Sequence, residues 1–210
     1  MKSKLLFLAF FLTLFTTLSA QKQIFSIPHL EDTLKKHKIV AILPVRVTIS
    51  YKRLPKGFDA EANKADEKKT GINMQQGMYT YLLRKSDEYF VSFQDIDRTN
   101  VLLNKVGMND SLDQYLPDSL AKLLGVDAVI KSSYSYEKTG SEAGAIAKTL
   151  LFGFGGSTGS GSLTMQIYGG SNGMLLWRFY KEMNEGAFTS GNQLMERMMK
   201  KVSRNFPYTK

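Results

Sequence analysis

One stretch, KIVAILPVRVTISYK from Lys38 to Lys52, most constrains what this chain can fold into. Ile39 to Leu43 is apolar without interruption, the pattern of a strand covered on both faces of a sheet. After Pro44 the pattern alternates. Val45, Val47, Ile49 and Tyr51 point one way, and Arg46, Thr48, Ser50 and Lys52 point the other. The stretch therefore predicts one long strand that starts inside a helix-covered sheet and ends with one polar face toward water.

Around it, the chain alternates helix and strand signals. Residues 21–37 read as a polar lead-in broken by Pro28, and Arg53 to Lys69 as a charged loop containing Pro55 and Gly57. Thr70 to Ser86 predicts a helix capped by Thr70, with Met74, Met78, Tyr81 and Leu82 as its apolar stripe. Tyr89 to Gln94 reads as a second strand. A helix follows Asp95-Ile96-Asp97, with Leu102, Leu103 and Val106 on one side and Gly107 at its end.

Pro117 opens a further helix with Leu116, Leu120, Leu123 and Leu124 as its apolar face, ended by Gly125. Val126 to Glu137 is the third strand, with Val126, Ala128, Ile130, Tyr134 and Tyr136 assigned to one side. Crossovers of this kind imply parallel, right-handed connections. Ser162–Tyr168 and Leu175–Lys181 predict a hairpin around the turn at 169–173, with Leu163, Met165 and Ile167 and then Leu175, Trp177 and Phe179 inward. Gly191 to Phe206 closes the chain as a helix presenting Leu194, Met198, Val202 and Phe206. The expected fold is α/β (α+β): a single mixed β-sheet of about five strands in the order βαβααβββα, with helices packed on it.

Residues 1–20 have the form of a secretory signal peptide. Lys2 and Lys4 precede the apolar run Leu5–Leu18, and Ser19-Ala20 offers small residues for cleavage. Residues 21–210 are then a single domain, with 26 basic against 19 acidic residues. The complete lack of cysteine excludes disulfides, thiolate chemistry and a lipidated cysteine after the signal. The positive charges look scattered over solvated faces, and with an export signal they argue for no nucleic-acid partner, leaving a membrane surface as one partner to consider.

Several chemical signatures are suggested and then undercut by their surroundings. Gly155 to Gly159 fits a Gly-x-Ser-x-Gly elbow around Ser157, but His29 and His37 both precede the serine and no helix signal follows it. Asp95, Asp97 and Thr99 resemble the start of a calcium loop without its glycine and final glutamate; an aspartate at a helix start accounts for them better. Glu182 and Glu185 flank a turn and lack an apolar cleft, and Trp177 reads as packing. No cofactor motif is present. The segment 140–161 holds seven of the 17 glycines, together with Ile146, Leu150, Leu151, Phe152 and Phe154, which a monomer would have to cover.

The phrasing VAILPV, DIDRTNVLLNKVG, LAKLLGVDAVI and GGSNGMLLW, in that order, resembles the periplasmic α/β fold of CsgG, of LpoB-type activators and of the TolB amino-terminal domain. The resemblance covers roughly residues 38–206 and is most specific at LAKLLGVDAVI. It implies an envelope protein that acts by assembling or by binding other proteins, without a catalytic motif. This chain departs from the pattern in lacking the lipidated cysteine, so the expected place is the periplasm or the outer-membrane periphery, without lipidation.

The function expected from these readings is a non-catalytic exported cell-envelope protein working through contacts with other envelope proteins or with itself. An oligomeric outer-membrane-associated assembly using 140–161 is the alternative, and an unrecognised hydrolase the third. The candidate interaction residues are Arg46, Thr48, Ser50 and Lys52, together with Ile146, Leu150, Leu151, Phe152 and Phe154.

Overall fold

The computed structural model describes residues 22–108, 111–138, 157–186 and 191–210. Among them are seven strands in one mixed sheet: β1 (Gln23–Ser26), β2 (Ile39–Ile42), β3 (Arg46–Tyr51), β4 (Ser92–Phe93), β5 (Ala128–Lys138), β6 (Ser157–Gly169) and β7 (Leu175–Gly186). The sheet order is β1-β7-β6-β5-β2-β4, and β3 continues beside β5 where β2 leaves off. β2 is parallel to β4 and β5, and β3 to β5, while β5, β6, β7 and β1 run antiparallel in turn. The helices are α1 (Leu30–Leu34), α2 (Ala60–Leu83), α3 (Ile96–Lys105), α4 (Pro117–Leu124) and α5 (Gly191–Val202). The α/β class with one mixed sheet is as expected, with more strands than the five anticipated. Residues 1–20, where a signal peptide is expected, lie outside the described residues.

The opening stretch is two strands rather than one. Ile42 pairs with Ile130, yet Arg46 pairs with Ser133, so the first chain spends one residue more than its partner over Leu43–Val45. That extra residue switches which side chains face which side of the sheet. Val40 and Ile42 point into the larger core before the kink, and Val45 and Val47 do so after it. Pro44 cannot donate to the ladder there. The kink is held by Gln75 of α2, fully buried, whose Nε2 donates to the Ile42 carbonyl at 2.8 Å. Asn100 closes the network by donating to the Gln75 carbonyl oxygen at 3.0 Å.

α2 and α5 cover one face of the sheet. Met74, Met78, Leu82, Met195, Met198, Met199 and Val202 meet Ile130, Tyr134, Leu163, Met165, Trp177 and Phe179 there. α3 and α4 cover the other face, but only over β2, the start of β5 and the end of β6, where Leu103, Leu120 and Leu124 pack on Ala41, Leu43 and Val129, with Tyr168 beside them. Gly71 lets α2 sit against the sheet, because a Cβ at that position would collide with the Val45 carbonyl. Gly125 ends α4 in the left-handed conformation at φ 65°.

Asp127, in the GVDAVI phrase, clamps the start of β2. Its Oδ2 accepts from the Lys38 and Ile39 N–H groups at 2.7 and 2.9 Å. Partial burial pushes this carboxyl up, but the two backbone donors and the charges at His37 and Lys38 outweigh it, so its pKa is lowered. Beside it, buried His37 places Nδ1 2.8 Å from the Tyr208 hydroxyl, tying the carboxy-terminal segment to the front of the sheet.

Several expected boundaries move. The charged loop expected over Arg53–Lys69 becomes helix from Ala60, capped by Asp59 rather than Thr70; Asp59 Oδ1 accepts from Glu61 N at 2.9 Å and Ala62 N at 3.1 Å. The first turns of α2 are mostly exposed, so they carry no apolar period to read. The lead-in contains β1 and α1, and the strand expected over Tyr89–Gln94 shrinks to Ser92–Phe93. Val126 packs with the α3–α4 cluster rather than on the side of Ala128. A bulge at Ile167/Tyr168 buries Leu176 beside Trp177, where the alternation of the sequence places Leu175 inward.

Candidate functional site

Among the described residues, nothing covers the face of the sheet opposite α2 and α5 where α3 and α4 stop. β3, β5, β6 and β7 continue past them, and their alternating residues form rows in register. Arg46, Ser133, Thr164 and Tyr180 make one row; Thr48, Ser135, Ser162 and Glu182 make the next; Ser50, Glu137 and Ser160 begin the third. Each strand contributes because its other alternate residues, such as Val47, Tyr134, Leu163 and Phe179, are spent on the α2–α5 core. Thr48, Ser50, Ser135, Glu137, Ser160 and Glu182 are exposed, and Ser133, Ser162, Thr164 and Tyr180 half-buried. A shallow cavity of about 330 Å³ lies over the second and third rows, lined by Thr48, Ser50, Ser135, Glu137, Ser160, Ser162, Tyr180 and Glu182 among others.

The face has a charge gradient. At the end nearer α3 and α4, Asp113 accepts from Arg46 at 2.7 Å and is paired with Lys131 at 2.9 Å. Partial burial pushes the Asp113 carboxyl up, but the hydrogen bonds from Lys131 and Arg46 prevail and lower its pKa. Arg178 adds a further positive charge, its guanidinium 5.6 Å from the Tyr180 ring centroid. At the other end are Glu137 and Glu182. The Tyr180 hydroxyl donates to Glu182 Oε1 at 2.8 Å, and this bond leads the rise of the tyrosine's pKa. The surface thus offers hydroxyl donors and acceptors across four strands, between a basic and an acidic edge.

Of the residues expected to form an interaction surface, Arg46, Thr48 and Ser50 lie together on this face. Lys52 sits just beyond β3, where its N–H bonds the Lys138 carbonyl, and it does not line the cavity. Ile146, Leu150, Leu151, Phe152 and Phe154 lie outside the described residues. Ser157 to Gly161, read as the end of a glycine-rich loop, instead opens β6. The serines of β5 and β6, with Tyr180 and Glu182, were missed. Their signal was a period of two: Lys131, Ser133, Ser135 and Glu137 in one strand, and Ser160, Ser162, Thr164 and Gln166 in the next.

The other sequence features fall as packing and caps. Asp95 Oδ1 accepts from Arg98 N at 3.0 Å as the cap of α3, and Trp177 is buried against Phe179 and Phe206. Among the described residues, no group of three or more His, Asp or Glu side chains is placed to hold a metal ion. No helix among them is long and apolar enough to cross a membrane.

No family model and no curated protein matches this chain. Solved structures similar to it include the PelC dodecamer of Paraburkholderia phytofirmans, at 13% identity and a TM-score of 0.43, covering 91% of this chain and 99% of that one. Lipoprotein GNA1162 of Neisseria meningitidis is similar at 15% identity and a TM-score of 0.44, covering 80% and 96%. The LpoB C-terminal domain of Salmonella enterica is similar at 9% identity and a TM-score of 0.37, covering 74% and 93%.

Proposed function

We propose that this chain is a non-catalytic, exported protein of the cell envelope that works by protein–protein contact, and that the bare face of β3, β5, β6 and β7 is its contact surface. The observation that carries this reading is the extent and order of that face. Four strands run past their covering helices and present hydroxyl and charged side chains in register, on a scaffold whose opposite side is a packed core. A rigid polar plane edged by opposite charges suits docking in one orientation, since complementary charge fixes register and excludes wrong partners. The sequence supports the address through Lys2, Lys4 and the Leu5–Leu18 run.

The test is recovery of a partner from envelope extracts by tagged protein, compared with the Ser135→Arg/Ser160→Arg pair. Both serines are exposed, so the substitutions leave the core intact. The expected result is a defined partner, or a second copy of the chain, whose recovery falls at least about tenfold with the pair. Equal recovery by both proteins overturns the assignment of the face.

A further inference from the structure

The positive charge that looks scattered along the sequence is partly gathered by the fold. Arg197, Lys200 and Lys201 on α5, and Arg204 on the 3-10 turn that continues it, fall at i, i+3, i+4 and i+7. All four are exposed. The opposite side of the same helix is the buried run Leu194, Met195, Met198, Met199 and Val202, which fixes the basic stripe outward. α5 and the turn carry one acidic residue, Glu196, which is bridged by Arg84 of α2 at 3.1 Å and by Lys200 at 3.6 Å. Arg84 therefore brings another positive charge to the stripe. Lys22 brings one more, its Nζ donating to Asn205 Oδ1 at 3.1 Å.

We infer that this stripe is a docking surface for an anionic phospholipid bilayer. A stripe of four residues spanning about 10 Å of helix presents its charges at one level, on long stems that adapt to a plane of phosphates. None of the four is aromatic, so the stripe offers no ring for a nucleic-acid base to stack on. Basic residues near an anionic leaflet each strengthen binding by about fivefold at physiological salt, and the gain fades beyond a Debye length.

This goes beyond the proposed contact function and gives it an orientation. α5 covers the sheet face opposite the serine rows. A chain lying on lipid by α5 therefore turns the rows of Thr48, Ser135 and Ser162 away from the membrane, toward a partner.

The experiment is co-sedimentation of the full chain, purified after export, with vesicles of phosphatidylcholine alone or containing about 30% phosphatidylglycerol. The expected result is binding to the anionic vesicles only, lost between about 50 mM and about 500 mM salt. Arg197→Gln/Lys200→Gln/Lys201→Gln/Arg204→Gln lowers that binding by about 100-fold or more. A control removing four charges elsewhere (Lys52→Gln/Arg53→Gln/Lys56→Gln/Lys64→Gln) changes it by less than about tenfold. Far-UV circular dichroism confirms that both variants are folded. Equal loss in the two variants, no binding of the wild type to anionic vesicles at low salt, or binding to duplex DNA or polyglutamate in place of vesicles each overturns the proposal.

Discussion

The Glu67 carboxylate of α2 accepts the Ile49 backbone N–H of β3 at 2.7 Å, on the side of β3 that faces away from β5. Asn63, one turn earlier, donates to the Ile49 carbonyl at 3.2 Å and to Glu67 Oε1 at 3.3 Å. Two side chains of a helix thus occupy the backbone groups that a neighbouring strand would take. An open strand edge is a template for association between chains, and this one is closed at its middle.

Replacing both side chains, Glu67→Ala with Asn63→Ala, removes that closure. The expected cost is about 1–3 kcal/mol in urea unfolding, from backbone groups left unpaired in a half-buried place. Concentration-dependent self-association, beyond any shown by the wild type under the same conditions, accompanies it. Light scattering with unfolding curves checks both; unchanged stability with no association contradicts the role given to these two residues.

Acid weakens the fold in two separate ranges. Burial lowers the His37 pKa from its ordinary 6.5, and Asp127 nearby works the other way. The unfolded chain therefore takes up the histidine proton first, so the stabilisation is complete above about pH 6.5 and is lost as pH falls through the lowered folded value. Asp127 and Asp113 are also lowered, from 3.8, so their contribution is present above that value and is lost only in stronger acid. Thermal melts across pH should show the first decline in the wild type and not in His37→Gln, while both proteins keep the second. An identical decline in both below about pH 6.5 contradicts the account of His37.

Gly71→Ala separates helix propensity from packing. Alanine favours a helix by about 1 kcal/mol over glycine in an open position. Here its methyl would meet the Val45 carbonyl, so α2 must move off the kink. The expected net effect is a loss of about 1–3 kcal/mol, measured by denaturant unfolding. A gain in stability would mean that α2 and the strand are less closely fitted than the structure has them.

The sequence made the parallel core legible because burial writes a continuous signal. Ile39–Leu43, the Leu120 and Leu124 helix ended by Gly125, and Val129–Ile130 all carry it, and all but Ile39, exposed at the start of β2, fall in the core. The first turns of α2 were unreadable for the opposite reason, since they project over the β3 edge and bury little. Their structure rests on the Asp59 cap and on Asn63 and Glu67, which act through single contacts rather than a period.

The site was half legible. Arg46, Thr48 and Ser50 were found because one strand alternates plainly between polar and apolar. Joining them to Ser135 and Ser162 needed the pairing of β3 with β5 and of β5 with β6. The register between β3 and β5, whose paired residues lie 87 apart in sequence, is set by the one-residue bulge at Pro44 and by packing, and neither shows as a local pattern.

The most direct test of the contact face is site-specific photo-crosslinking in the intact envelope, with the probe at Thr48, at Ser135, or at exposed Lys105 at the end of α3 as a control. Thr48 and Ser135 are paired neighbours on the bare face, so the account predicts the same adduct from both, none from Lys105, and loss of the adduct on Ser160→Arg. No adduct at either face position, or the same adduct at Lys105, would contradict it.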